Sequence, residues 1–375
     1  MERKTLNPWK DKVLYTPGPL TTSKAVKEAM LRDVGSRDEE FTQIIADVRN
    51  TLLEIAGVAG KGYEAVLLQG SGTYAVEAVI STATPPDGKW LVIVNGAYGE
   101  RICKIADILR IKYVKLKYPE NNLPVLGEIS QALADDSEIT HVAVIHHETT
   151  TGLINPIDDI GEIVKKFGKI FFVDAMSSFG ALPIDMHKAG IDYLACTANK
   201  NIESVPGIAF VLAKRDVLLT TKGWARSLTL DILDQLMGFE KNGQFRFTPP
   251  THAILAFKEA LLELEEEGGI VFRAARYREN YETLVAGMRK MGFTEYLPEE
   301  MQGIIIVSFN YPNHKNFEFG EFYERLNQRG YVIYPGKVSN ADCFRIGVCG
   351  RLFKSDILDL LNTIKEVLAE MKIEL

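Results

Sequence analysis

The stretch HVAVIH (141–146), followed by PIDDIGEIVKKFG (156–168) and then IFFVD (170–174), decides how this chain is read. The two outer runs are short and almost wholly apolar, as a strand covered on both faces must be. Between them Asp158–Phe167 has a helical, amphipathic pattern. Strand, helix, strand at this spacing is a βαβ unit, whose two strands lie parallel in one sheet. Working outward, the alternation repeats. Strand-like runs occupy Ala65–Leu68, Trp90–Asn95 and Tyr113–Leu116 on one side, and Tyr193–Thr197 and Ile208–Ala213 on the other. Helical patterns at Tyr74–Ala83, Gly99–Leu109 and Gly127–Ala134 separate them. The expectation is an α/β fold with a mostly parallel central sheet.

Both ends of the chain read differently. Thr16-Pro17-Gly18-Pro19 is a turn, since two prolines bracket a glycine. Ser23 caps a helix that runs through Leu31, and Phe41, Ile44, Ile45, Val48, Leu52 and Ile55 recur at helical spacing. Beyond Thr248 a long helical region starts near Thr251, breaks at Gly268-Gly269 and resumes to Met291. It is followed by a strand (Gly303–Phe309), a helix (Phe319–Gln328), two short strands (Tyr331–Tyr334 and Cys343–Ile346) and a last helix with Ser355 as its expected cap. This predicts a large α/β domain over 1–250, including the N-terminal segment, and a smaller α+β domain over 251–375.

Bulk properties bound the function. The chain has 375 residues, enough for two domains or three. Its 46% hydrophobic and 25% charged residues are ordinary for a protein with a sizeable core. A net charge of −7 weighs against a nucleic-acid partner. Cys103, Cys196, Cys343 and Cys349 fit no zinc spacing and read as reduced thiols. Met1 to Lys12 is polar, and no run reaches the length of a membrane span. The expectation is a cytoplasmic protein with no membrane partner and no metal.

Open α/β sheets bind ligands beyond the carboxyl ends of their strands. After Ala65–Leu68, Gln69-Gly70-Ser71-Gly72-Thr73 opens a helix. That is the outline of an anion cradle, or simply a tight strand–helix turn. Asp174 ends an apolar strand, where a carboxylate needs a partner: a protonated pyridine nitrogen, a metal, or a helix end to cap. Lys200, just past Tyr193–Thr197, is either an imine-forming amine of lowered basicity or a surface lysine. Tyr98, past Trp90–Asn95, either stacks on a flat ring or is an ordinary loop aromatic. His146-His147-Glu148 suggests a metal, but neighbours on a strand face opposite ways, so structural or cofactor-adjacent roles fit better. Asp231 and Asp234 read as acids at a helix N-terminus. Taken together, cradle, aromatic, acid and lysine share one sheet edge, and these are the parts a pyridoxal 5′-phosphate site requires.

The ordered segments Thr16–Pro19, Gln69–Thr73, Asn95–Arg101, His147–Gly152, Val173–Gly180 and Ala198–Lys200 resemble the class V aminotransferases of fold type I. The resemblance runs from about Leu14 to the C-terminus. It implies that Lys200 carries pyridoxal 5′-phosphate and moves the proton, and that Asp174 holds the ring nitrogen. It further implies that Tyr98 stacks on the ring, that Ser71, Gly72, Thr73 and Asn199 bind the phosphate, and that Thr149 meets the phenolic oxygen. Thr248 would reach the phosphate from the partner subunit of a homodimer with shared active sites. Arg345 would grip substrate anions, whose partners are an amine donor and a 2-oxo acid. Longer segments, Leu20–Ser23, Arg226–Asp231, Arg246–His252, Tyr334–Ser339 and Asp342–Gly347, resemble a branch that transfers the amino group of 2-aminoethylphosphonate to pyruvate, giving phosphonoacetaldehyde and alanine. Alanine–glyoxylate or serine–pyruvate transamination is the alternative within the family, and a desulfurase-type lyase using Cys343 or Cys349 the alternative in another class. A binding protein that kept the fold would not need Lys200 and Asp174. Asn201-Ile202-Glu203-Ser204 and Gly35–Glu39 depart from the pattern of familiar members.

Overall fold

All seven strand-like runs enter one sheet. The structure is a computed structural model and describes residues 12–336 and 341–375. The polar segment before Lys12, and Lys337-Val338-Ser339 of the Tyr334–Ser339 motif, lie outside the described residues. In chain order the strands are β1 (Tyr63–Gln69), β2 (Lys89–Val94), β3 (Lys112–Lys117), β4 (Ile139–Ile145), β5 (Ile170–Asp174), β6 (Tyr193–Thr197) and β7 (Ile208–Lys214). Their order across the sheet is β1-β7-β6-β5-β4-β2-β3. The pairs β6–β5, β5–β4, β4–β2 and β2–β3 are parallel, whereas β7 is antiparallel to both its neighbours. β7 follows β6 after too short a connection for a crossover, so it folds straight back. Because β1 pairs with the reversed strand, it runs with the other five. Six strands therefore deliver their carboxyl ends to one edge, and that edge holds the site.

Helices Glu39–Ile55, Gly72–Ala83, Ala97–Ile108 and Ile157–Lys166 pack against this sheet. Phe171, Phe172 and Val173 of β5 are wholly buried, as central parallel strands should be. Trp90 stacks on His141 with ring centroids 4.6 Å apart, and its indole N–H donates to Thr84 Oγ1 at 2.8 Å. Truncating so large a buried ring costs about 3–5 kcal/mol. The helix Arg215–Leu219 was not read from the sequence, and of a second, Ile232–Asn242, only the start was. The second begins as its acids suggested: Asp231 caps it, accepting from the Asp234 N–H at 3.0 Å. Ser23 likewise caps Lys24–Glu28, which continues as a 3-10 turn to Leu31.

A second core lies under a three-stranded antiparallel sheet of β8 (Ile306–Asn310), β9 (Tyr334–Pro335) and β10 (Cys343–Gly347), with β10 central. Helices Ile270–Lys290, Phe319–Gln328 and Lys354–Glu370 supply Leu284, Phe322 and Ile364 to it. Two expectations change here. The run Tyr331–Tyr334 divides, Tyr331–Val332 pairing in parallel with Val13–Leu14 and Tyr334 entering the other sheet. Ser355 does not cap the last helix; Asp356 reaches back to accept from the Phe353 N–H at 2.8 Å. The helix Thr251–Glu266 places Ile254, Phe257 and Leu264 in the first core, while Tyr15 belongs to the second. We therefore propose the domain division at Gly268-Gly269, with the N-terminal strand crossing over. No helix among the described residues is long and apolar enough to cross a membrane.

Candidate active site

The shared edge encloses a cavity of about 300 Å³. Ser71, Gly72, Thr73, Tyr98, Thr149, Asp174, Asn199 and Lys200 all line it. β1 delivers the first three. Ser71 is the N-cap residue of Gly72–Ala83, and its hydroxyl makes no capping bond, so it stays available to a ligand at the helix end. Gly72 is needed for space: a Cβ there would stand 2.4 Å from Met176 Sδ.

β5 delivers Asp174. Its carboxylate is buried and accepts from the Met176 N–H at 3.0 Å. Burial, reinforced by the nearby Glu148, pushes its pKa up to about 7. β6 delivers Asn199 and Lys200. Thr197 Oγ1 donates to Asn199 Oδ1 at 2.9 Å, holding that amide in place. The Lys200 ammonium donates to the Pro17 carbonyl, and burial lowers its pKa. Gly18 lies against it at φ +110, and a Cβ there would be 2.6 Å from Lys200 Cδ. The Thr16–Pro19 turn is thus a wall of the lysine's pocket.

Tyr98 sits in the first turn of Ala97–Ile108. The wholly buried Glu148 places it, accepting from the Tyr98 N–H at 3.3 Å. A carboxylate at a helix N-terminus also meets the positive end of the dipole. Gly96 makes room, since a Cβ there would be 2.2 Å from Glu148 Cδ. Arg101 stacks its guanidinium 4.6 Å from the Tyr98 ring centroid and donates to Thr73 Oγ1 at 3.1 Å. The Thr73 hydroxyl, already accepting from a cation, is left with its proton to donate into the cavity.

Two expected residues lie elsewhere. Thr248 is exposed in a separate surface hollow with Arg37, Lys241 and Arg246. Arg345 is fully buried on β10, behind the cavity wall. It donates to the Thr149 carbonyl at 2.5 Å and to the Pro335 carbonyl at 3.0 and 3.1 Å, and lies over the Tyr334 ring. Conversely, Arg101 lines the cavity without having been singled out, and His147, read as structural or cofactor-adjacent, lines it too. Both His147 ring nitrogens are buried without partners, and burial lowers its pKa to about 3, so the ring is neutral. Both residues stood inside quoted segments. Which face each side chain takes was not legible there.

Residues 21–338 match the family model described as aminotransferase class-V. The chain belongs to the class-V aminotransferases. Among curated class-V relatives, it is 50% identical over 357 residues to a 2-aminoethylphosphonate–pyruvate transaminase of Vibrio vulnificus (strain CMCP6), covering 95% of this chain and 97% of that one. It is 47% identical over 362 residues to the protein of the same description from Salmonella heidelberg (strain SL476), covering 96% and 98%. A solved alanine–glyoxylate aminotransferase from Nostoc sp. superposes with a TM-score of 0.88 at 23% identity over 98% of each chain, and so bears out fold type I.

Proposed function

We propose that this class-V aminotransferase moves the amino group of 2-aminoethylphosphonate to pyruvate, with pyridoxal 5′-phosphate held in the cavity between β1, β5 and β6. One observation carries the cofactor reading. Asp174, buried, and Lys200, half-buried, face the same small cavity, the acid made weaker and the base made weaker by desolvation. A buried carboxylate with one backbone donor calls for a cationic partner, and a ring N–H⁺ supplies it. The other donors fit. Ser71, Thr73, Asn199 and the helix N-terminus suit a phosphate, Tyr98 and the neutral His147 ring suit the faces of a flat heterocycle, and Thr149 would serve its phenolic oxygen. Bound there, the cofactor supplies an electron sink for the carbon that loses its proton.

The chain's own residues do the rest. Lys200 is an amine whose burial favours the neutral form, so it can take the proton from the amine-bearing carbon of the donor and return it to the product. Asp174 stays anionic beside a cation. Arg345, whose planar fork suits both carboxylate and phosphonate, would grip the substrate anion by exchanging its bonds to the Thr149 and Pro335 carbonyls for the anion. Thr248 completes the phosphate site of the partner in a cytoplasmic homodimer. The substrate assignment rests on the relatives near 50% identity, all described as acting on 2-aminoethylphosphonate and pyruvate. The lyase alternative is disfavoured by the thiols. Among the described residues no cysteine lines the cavity, and burial raises the Cys349 pKa to about 12, the reverse of an activated thiolate.

The test is a donor screen on the cofactor-loaded protein. Loss of its visible absorbance on adding 2-aminoethylphosphonate or alanine, but not serine, is the expected result. Loss with serine and alanine alone would hand the chain to the glyoxylate branch, and sulfide release from cysteine to the lyase.

A further inference from the structure

The turn after Lys200 is held in an unusual way. Glu203 has φ +64, a left-handed conformation that suits glycine or asparagine rather than a long acidic side chain. Its N–H donates to the Lys200 carbonyl at 2.7 Å, closing the turn directly onto the lysine. Local preference does not account for glutamate here, but its side-chain partners do. Glu203 is buried, and Oε1 accepts from Tyr277 Oη at 2.5 Å and from Arg276 Nη2 at 2.8 Å. Arg273, wholly buried, stands 3.8 Å from the same oxygen and donates to the Asn201 carbonyl at 2.8 Å. Glu267, half-buried, pairs with both arginines, so two carboxylates balance two guanidinium groups.

Arg273, Arg276 and Tyr277 lie on one face of the helix Ile270–Lys290, at spacings of three and four residues. That face also grips the segment following β10. Arg276 Nη1 donates to the Gly350 carbonyl at 2.7 Å and to the Leu352 carbonyl at 2.9 Å, and the Gly350 N–H donates to Tyr277 Oη at 3.0 Å. One cluster therefore ties the Lys200 turn to the end of the strand that carries Arg345.

We propose that Glu203 is a positioning residue for Lys200, its buried carboxylate fixing the turn from which the lysine reaches the cavity. This rests on the reading of Lys200 as the cofactor lysine. Glu203→Gln keeps the shape but removes the charge, and Tyr277→Phe removes one hydrogen bond while keeping the charge. Both are compared with wild type as cofactor-loaded proteins, below the onset of unfolding followed by circular dichroism. Expected is a fall in kcat of about tenfold for Glu203→Gln and about threefold for Tyr277→Phe, with KM for both substrates within about twofold. Single-turnover bleaching by 2-aminoethylphosphonate should slow by the same factors. Wild-type kcat in both folded variants would make the cluster merely structural and overturn the proposal. So would a rise in KM for pyruvate at unchanged kcat, which would place the effect on the Arg345 strand. Borohydride fixation and peptide mass mapping locate the cofactor in each protein. Fixation on a lysine other than Lys200 would sink the underlying reading, whatever the variants' kinetics.

Discussion

Asp174→Asn should make the cofactor-free protein more stable at pH 8 while crippling the enzyme. Asp174 is 5% exposed, and its pKa rises from 3.8 to about 7 on folding without the cofactor. Between those values the folded chain holds a proton that the unfolded chain has lost. Stability of the cofactor-free protein therefore falls as pH rises through that window. At about 1.4 kcal/mol per tenfold change in proton affinity, the carboxylate costs roughly 4 kcal/mol above pH 7. Asparagine carries no charge there, and its Oδ1 can still accept from the Met176 N–H. Burying the unpaired half of its amide returns about 1–3 kcal/mol of that gain. The expected net advantage is about 1–3 kcal/mol at pH 8, which is roughly 1–4 °C in Tm for a chain of this length. Near pH 4 the advantage should vanish, since the aspartate is then neutral in the folded state too. With cofactor bound the order reverses. Breaking a buried pair costs about 3–5 kcal/mol, so affinity and turnover should fall by about 10²–10⁴. The assay is thermal or urea unfolding of both stripped proteins at pH 4, 6 and 8, beside cofactor titration. An advantage that is absent at pH 8, or equal at pH 4 and pH 8, would refute the account of Asp174 as a carboxylate waiting for a cation.

Three other outcomes are expected. Gly18→Ala puts a Cβ 2.6 Å from Lys200 Cδ at a φ of +110, and should lower kcat at least about tenfold with an unchanged far-ultraviolet spectrum; wild-type turnover would show that the turn yields. Arg345→Ala should raise KM for pyruvate by about tenfold or more, as the loss of a charge-assisted pair predicts; an unchanged KM would move the carboxylate grip elsewhere. Mixing Lys200→Ala with Thr248→Ala subunits should restore activity neither has alone, because one site of each mixed dimer regains both residues. Simple additivity would mean that Thr248 serves its own chain or none.

Much of the sheet and its site edge was legible because the signals are local. β5 and β6 announce themselves as apolar runs, and Asp174 and Lys200 follow them within one to three residues, so wherever the strands go these side chains go too. The cradle Gln69–Thr73 and Tyr98 were readable for the same reason. The Thr16–Pro19 turn was readable as a turn, but not as the wall against Lys200, since the two are far apart in sequence. Arg101 was hidden, and the choice between a structural and a cofactor-adjacent role for His147 stayed open, because being near a strand end does not say which way a side chain points. The reversal of β7 was hidden because a buried strand looks the same in either direction. Val13–Leu14 and Tyr331–Val332 were hidden because two-residue strands have no period to detect.

What this sequence determined by itself is the alternation of strands and helices and the identity of the residues at the strand ends. Both follow from short-range rules of pattern and chain connectivity. Tertiary structure alone decided that six strand ends converge and that Arg345 stands behind Thr149 rather than in the cavity. It also decided that Thr248 lines a hollow separate from its own chain's cavity, and that Glu203, Arg276 and Gly350 meet. Those contacts join residues tens to hundreds of positions apart. Their energy comes from desolvation and from partners that no local window contains.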